Sequence, residues 1–291
     1  MPERRFLRSY LFAPGSDEHK LRKAVASGSD AVVFDLEDSV APHEKEQARE
    51  TVSRVVHSLA ETAGTEIHIR VNRAGGVVDR SDIAAAVVPG VTGVRLPKVD
   101  DVADIEDVDG MIGELEAERG ISEGTLRLYP TIESPAGVLA SADLGKASDR
   151  IAALVFGPAD FAAAIGVQDP SFEATLFARS MIVSASSAAG IGRPIDGAFL
   201  DIEDLDGLRL HCERVRQLGF EGKSAIHPRQ LPVIHEAFRP TMEEIERARL
   251  VMAAVAEERT IGMFSGVYVD PPVIAQARAV LELLARIESK G

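Results

Sequence analysis

Short apolar runs alternate along the chain with longer stretches whose apolar residues return every three to four positions. The runs at 7–13, 31–36, 66–71, 93–97, 126–132, 152–156, 195–200 and 222–226 read as strands. Several are apolar without alternation, as in Ala31-Val32-Val33-Phe34, which suits parallel strands covered on both faces. Between them, helical periodicity predicts helices from His43 to Glu61, Asp101 to Arg119, Pro170 to Ala189 and Asp204 to Leu218, the last closed by Gly219. Ser134-Pro135 and Phe161-Ala162 look like further helix starts. Eight strands separated by helices predict an α/β fold of the closed (β/α)8 TIM barrel type. Past the eighth strand, Thr241 to Thr260 reads as an exposed helix opened by a Thr241/Glu244 capping box. A last amphipathic helix is expected from Val273 to Ser289. The expected organisation is a barrel over 1–235 and a C-terminal helical extension over 236–291.

A barrel concentrates chemistry at the carboxyl ends of its strands. Asp35, Glu37, Asp38, Arg70, Asn72, Lys98, Glu133, Asp160, Asp201 and His227 all fall at or just past strand ends. Glu133 and Asp160 stand one β-α unit apart, and two carboxylates so placed suit one Mg²⁺ that keeps positions for water or a chelating acid. The competing reading makes each a cap of the helix that follows. Arg70 is suited to bidentate carboxylate binding and to stabilising an enolate oxygen, or to holding the acids as an ion pair. Asp35 and Glu37 share a strand face, as partners for the metal's waters or for Arg70 and Lys98. His227 reads as a general base or as a structural hydrogen-bonding group. His19, His43, His57, His211 and His235 read as surface residues.

Composition narrows the field. In 291 residues, 45% are hydrophobic, enough for a large core, and the 24 glycines and 15 prolines are spread over element ends rather than pooled in a linker. The formal charge of −14, from 46 acids against 32 bases, argues against nucleic-acid or anionic-membrane binding. A small-molecule substrate remains. No apolar run approaches ~20 residues and no secretory signal precedes the first strand, so a cytoplasmic location is expected. The single Cys212 allows no internal disulfide and reads as a structural thiol. No Ser-His-Asp, Walker or Gly-x-Gly-x-x-Gly pattern stands out.

The segments LRSYLFAPGS, AVVFDLEDSV, IHIRVN, VRLPKVD, LYPTIESPAGV, LVFGPADFAAAIG, GKSAIHPRQ and GVYVDPP resemble the citrate lyase beta-subunit-like proteins of the HpcH/HpaI aldolase superfamily, over about residues 5–285. The resemblance implies Mg²⁺ on Glu133 and Asp160, and an oxo-acid bound and polarised by Arg70. It implies an acid/base Asp270, delivered by the C-terminal extension to a neighbouring subunit of a trimer or hexamer. The implied reaction is carbon–carbon cleavage or formation on a 3-hydroxy-acyl-CoA of the malyl, citramalyl or citryl type. An acyl-carrier-protein thioester, an aldolase acting on free hydroxy-oxo acids and a non-catalytic subunit of a larger complex stay open. For the CoA phosphates, Lys20 and Arg22 within the basic set Arg4, Arg5, Arg8, Lys20, Arg22 and Lys23 are the candidates, against a plain solvated face. The chain departs from citrate lyase beta-type members in Ala159-Asp160, where these often carry Glu-Asp. It departs from the pyruvate-class aldolases in Asp38-Ser39, where those place a His after the second strand.

Overall fold

A computed structural model describes residues 6–59, 64–257 and 261–288. It forms two compact units, Leu7–Ile234 and a C-terminal unit from His235. In the first, eight parallel strands close a barrel: β1 (Ser9–Pro14), β2 (Ala31–Asp35), β3 (Glu66–Arg70), β4 (Gly93–Leu96), β5 (Arg127–Ile132), β6 (Ala153–Phe156), β7 (Gly192–Asp196) and β8 (Gly222–Ala225). β1 pairs with β8 through Ser9↔Lys223 to complete the ring. The helices are α1 (Glu18–Val25), α2 (Lys45–Leu59), α3 (Arg80–Ala86), α4 (Val102–Glu118), α5 (Pro135–Leu144), α6 (Pro158–Ala164), α7 (Phe172–Ala189), α8 (Leu205–Leu218) and α9 (Leu231–Ala237). The (β/α)8 barrel expected from the apolar runs is the architecture found.

The unbroken apolar strands have a simple cause. All five residues of β2 are buried, so both of its faces are apolar up to Asp35, whose charge is met by Arg70. Tyr10, Val33, Tyr129, Val155 and Ile195 form one core cluster, and Val32 and Phe34, of opposite parity to Val33, are as fully buried. Helix ends follow the capping residues. Asp101 and Asp104 form a capping box on α4, and Asp204 caps α8, accepting from the Gly207 N–H. Gly219 ends α8 in the left-handed conformation (φ 115°), which costs glycine little.

Several boundaries differ from expectation. The seventh strand is Gly192–Asp196, not 195–200; the chain leaves the sheet at Gly197, and the apolar Leu200 is exposed in the loop beyond. The helix expected from His43 opens as a 3-10 turn over Pro42–Glu44 and becomes α-helical at Lys45. The helix expected from Pro170 starts at Phe172, capped by Ser171. The expected ends at Glu61, Thr260 and Ser289 lie outside the described residues.

In the C-terminal unit, α10 (Met242–Ala256) carries the Thr241/Glu244 capping box, and α11 (Pro271–Glu288) follows. Between them lies a hairpin that the apolar pattern did not single out, β9 (Gly262–Phe264) paired with β10 (Val267–Val269). Ser265 and Gly266 turn it with φ of 46° and 81°, the doubly positive backbone of a two-residue turn that suits strand twist. Ala248, Val251, Ala254, Val269, Ile274 and Ala277 form this unit's core. Among the described residues no helix is long and apolar enough to cross a membrane.

Thr241→Ala should destabilise the C-terminal unit by about 1 kcal/mol, because the Glu244 N–H loses its acceptor. Chemical denaturation should show the loss and Thr241→Ser should restore most of it.

Candidate active site

Asp35 and Arg70 are register partners at the ends of β2 and β3, and such partners leave the sheet on the same side. Arg70 Nε and Nη2 donate to the two oxygens of Asp35, each at 2.7 Å. The same carboxylate accepts the backbone N–H groups of Glu37 at 2.9 Å and Ser39 at 3.1 Å, which fixes the turn after β2. Nη1 of Arg70 faces Glu37 at 3.1 Å and Asp38 at 3.3 Å. Burial alone would raise the Asp35 pKa, but the hydrogen bonds and charge of Arg70 outweigh it and hold the carboxyl below its usual range. Burial likewise works against the Arg70 charge, and Asp35 more than compensates it.

Glu37 is buried and its pKa is raised, chiefly by desolvation. Its other oxygen meets Lys98 Nζ at 2.6 Å. That bond raises the Lys98 pKa. Lys98 holds a left-handed backbone (φ 55°), a strained state for a non-glycine, and its carbonyl accepts from Arg73 of the short 73–78 hairpin.

Arg70, Asp35, Asp38, Glu133 and Asp160 line one cavity of about 430 Å³ at the carboxyl ends of the strands. Neither acid of the Glu133/Asp160 pair caps a helix with its side chain. Ser134 caps α5, accepting from the Gly137 N–H at 2.9 Å. Gly157 is the cap residue of α6, which begins at Pro158 rather than Phe161, so Asp160 sits in its first turn. Glu133 is 8% exposed, while Asp160 is exposed. Among the described residues no group donates a hydrogen bond to the Glu133 carboxyl. Burial first, then the Asp160 and Glu37 charges, push its pKa up to about 8. Gly157 is required beside it, since a Cβ there would stand 2.5 Å from Glu133 Cγ. A buried carboxylate short of compensation, with a second one in the same cavity, is a donor set that suits a hard divalent cation. Among the described residues no cluster of three or more His, Cys, Asp or Glu forms a closed metal cage. Two carboxylates leave positions for other oxygens.

Other expected residues fall elsewhere. Lys20 pairs with Asp17, and Arg22 bonds Glu18 and Ser58 on the outer side of α1; neither lines the cavity, and Arg4 and Arg5 lie outside the described residues. His227 Nδ1 accepts the Arg229 N–H, the structural alternative to a general base. Asp201 accepts from the Glu203 and Asp204 N–H groups in the loop after β7. Asp270 belongs to the C-terminal unit and caps α11, accepting from the Val273 N–H at 2.9 Å.

The sequence reading missed Arg95. It is the register partner of Arg70, 1% exposed, and lies over the Tyr10 and Tyr129 rings at 4.4 and 4.8 Å while reaching the cavity. The available signal was a charge within a four-residue strand that shares Arg70's face. His211 is not a surface residue as expected. It is largely buried against Asp196 and Lys223, and burial with the Lys223 charge lowers its pKa to about 3. Cys212 is buried, which pushes its thiol up to about 12, as suits a structural role.

Comparison with known proteins gives a consistent relationship. The model of the HpcH/HpaI aldolase/citrate lyase family matches residues 8–228. Citrate lyase subunit beta of Leuconostoc mesenteroides subsp. cremoris is 32% identical over 288 residues, spanning 97% of this chain and 95% of that protein. The L-malyl-CoA/beta-methylmalyl-CoA lyase of Rhodobacter capsulatus is 31% identical, spanning 95% of this chain and 94% of that protein. Among solved structures, the CitE protein of Mycobacterium tuberculosis in complex with magnesium, acetoacetate and coenzyme A superposes with a TM-score of 0.78 at 28% identity, over 96% of this chain and 98% of that one.

The raised Glu133 pKa has a signed consequence. Between its ordinary 4.5 and about 8, the folded chain keeps a proton that the unfolded chain has released. Stability of metal-free protein should therefore fall as pH rises through that window, by up to roughly 1.4 kcal/mol per pH unit. In scanning calorimetry between pH 5 and 8, Glu133→Gln should show a flatter decline than the wild type.

Proposed function

The chain belongs to the HpcH/HpaI aldolase/citrate lyase family, and we propose that it is a Mg²⁺-dependent carbon–carbon lyase acting on a short 3-hydroxy-acyl thioester that bears a carboxylate. The observation that carries the reading is the shared cavity, where the Asp35-clamped Arg70 guanidinium lies with buried Glu133 and with Asp160. The names of two relatives, a citrate lyase subunit beta and an L-malyl-CoA/beta-methylmalyl-CoA lyase, favour a citryl-, citramalyl- or malyl-CoA-type substrate.

Glu133 and Asp160 would hold the ion, which supplies Lewis acidity and a template for the substrate's carboxylate and hydroxyl. Arg70 binds that carboxylate and stabilises the oxygen charge that develops during cleavage. Asp35 fixes the guanidinium plane, and Glu37 with Lys98 fixes its outer edge. In the cleavage direction the hydroxyl proton passes to water, the C–C electrons move to the thioester enolate, and a 2-oxo acid departs. The enolate carbon then takes a proton from Asp270 of a neighbouring copy in a trimer or hexamer, leaving acetyl thioester. Capping of α11 orients that carboxyl through one oxygen, Oδ1. Lys20 and Arg22 are the proposed contacts for CoA phosphates. The similarity to citrate lyase subunit beta favours a second reading, a thioester carried on an acyl-carrier protein.

Purified protein assayed on a panel of malyl-, citramalyl- and citryl-CoA should release acetyl-CoA and an oxo acid with Mg²⁺ and stop with EDTA. Arg70→Ala should lower turnover by about 10²-fold or more. Full Mg²⁺-dependent activity in both Glu133→Ala and Asp160→Ala would overturn the assignment. Activity on the carrier-protein thioester alone would decide for the second reading.

A further inference from the structure

Outside the cavity, between the sheet and its covering helices, lies a buried ion cluster that the proposed chemistry leaves unused. Asp196 ends β7 and Lys223 is its register partner on β8, and both point away from the barrel axis toward α7 and α8. Asp196, Lys223 and Arg179 of α7 are 0%, 1% and 1% exposed. Lys223 Nζ meets Asp196 Oδ2 at 2.5 Å, and Arg179 Nε donates to Oδ1 at 2.9 Å. His211 lies between the two cations, with Lys223 Nζ 3.3 Å from Nδ1 and Arg179 Nη2 3.4 Å from Nε2.

The cluster grips the two segments that flank the first turn of α6. Lys223 Nζ also donates to the Gly197 carbonyl at 2.7 Å. The Arg179 guanidinium stacks 5.0 Å from the Phe156 ring at the end of β6. Gly197 in turn abuts Pro158, the first residue of α6. A Cβ on Gly197 would overlap the Pro158 ring and stand 2.8 Å from the Phe156 carbonyl oxygen. Asp160 follows Pro158 by two residues, in the same turn. The contacts thus run unbroken from Lys223 through Gly197 and Pro158 to the backbone that carries Asp160.

We propose that Lys223, acting with Asp196 and Arg179, is a positioning residue for Asp160: it pins Gly197 against Pro158 and so sets where the second carboxylate presents itself to the metal. This rests on the reading of Glu133 and Asp160 as metal ligands. The neutral His211 ring can accept from only one cation at a time, so it separates the two charges without adding a third. The direct contacts of Lys223 all lie behind the sheet, so it acts on the site through the Gly197 carbonyl.

The test is Mn²⁺ binding to the metal-stripped full-length protein, followed by titration calorimetry and by paramagnetic relaxation of water. Lys223→Met should raise the Mn²⁺ dissociation constant on the order of 10-fold, the size typical of losing a contact that orients a ligand. Gly197→Ala, which presses on Pro158 while leaving every charge in place, should raise it as well and stands in if Lys223→Met does not fold. Ile105→Ala on α4, fully buried and remote in sequence from both segments, should lower the melting temperature with an unchanged dissociation constant. Wild-type affinity in the folded Lys223→Met and Gly197→Ala proteins, with Asp160→Asn binding lost, overturns the positioning role and leaves the metal reading intact. Unchanged binding in Asp160→Asn overturns both.

Discussion

The bidentate pair between Arg70 and Asp35 is the contact from which the barrel mouth is built. A guanidinium at the edge of an apolar barrel loses much of its hydration, and a carboxylate in fork geometry replaces it at both ends. The pair also shapes the backbone, because Asp35 has lone pairs to spare for the Glu37 and Ser39 N–H groups. That turn brings Glu37 to the outer edge of Arg70 and into reach of Lys98. Among the mouth side chains described, Asp35, Glu37, Asp38, Glu133 and Asp160 face Arg70, Lys98 and Arg95. The balance is negative and falls on the acid pair away from Asp35, where Glu133 carries its raised pKa. A cavity that sets the Arg70 cation beside this acid pair offers a donor set that suits one further positive centre.

Much of the fold was legible because burial on both strand faces writes itself as unbroken apolar runs. The one misplaced strand shows where that signal ends. Phe199 and Leu200 are apolar but belong to a loop, because Gly197 is held by Lys223 and by Pro158 from outside its own segment. Helices α1 and α3, of 8 and 7 residues, are too short for a period to assert itself against noise. Their caps, Asp17 and Asp79, were the usable sign. Asp160 was placed before a helix start and lies inside one, since a proline at the first helical position reads equally well as a loop residue.

The acids and Arg70 were legible as a ring because the barrel sends every strand's carboxyl end to one face. What each contacts was not. Arg70 was expected either to meet a substrate carboxylate or to hold the acids, and it does the second with Nε and Nη2 while Nη1 meets Glu37 and the exposed Asp38. Asp38, at 65% exposed, is the least buried of the acids that meet Arg70. Arg95 escaped notice because its worth depends on two tyrosine rings supplied by β1 and β5, which no local window shows. His211 misled for the same reason. Leu210 and Glu213 nearby in sequence are exposed, whereas the environment of His211 is made by Asp196, Lys223, Phe172 and Phe199.

The buried Asp196–Lys223–Arg179 cluster bears on what such charges are for. Burying an ion pair costs each partner its hydration, and the mutual attraction often returns little net stability, so apolar residues of similar volume would serve a barrel wall as well. Burial pushes against the Asp196 charge, and Lys223 and Arg179 outweigh that push, leaving its pKa far below the ordinary carboxylate range. Asp196 therefore stays ionised, held by Lys223 on one oxygen and Arg179 on the other. An apolar replacement could fill the volume but could not donate to the carbonyl of Gly197, a residue that lines the cavity. Directional bonds are what the charges add over packing, and the one directed at the cavity wall ends on the residue whose bare Cα admits Pro158. On that account the expense of burial is repaid in the placement of a backbone turn two residues from Asp160 rather than in the stability of the barrel.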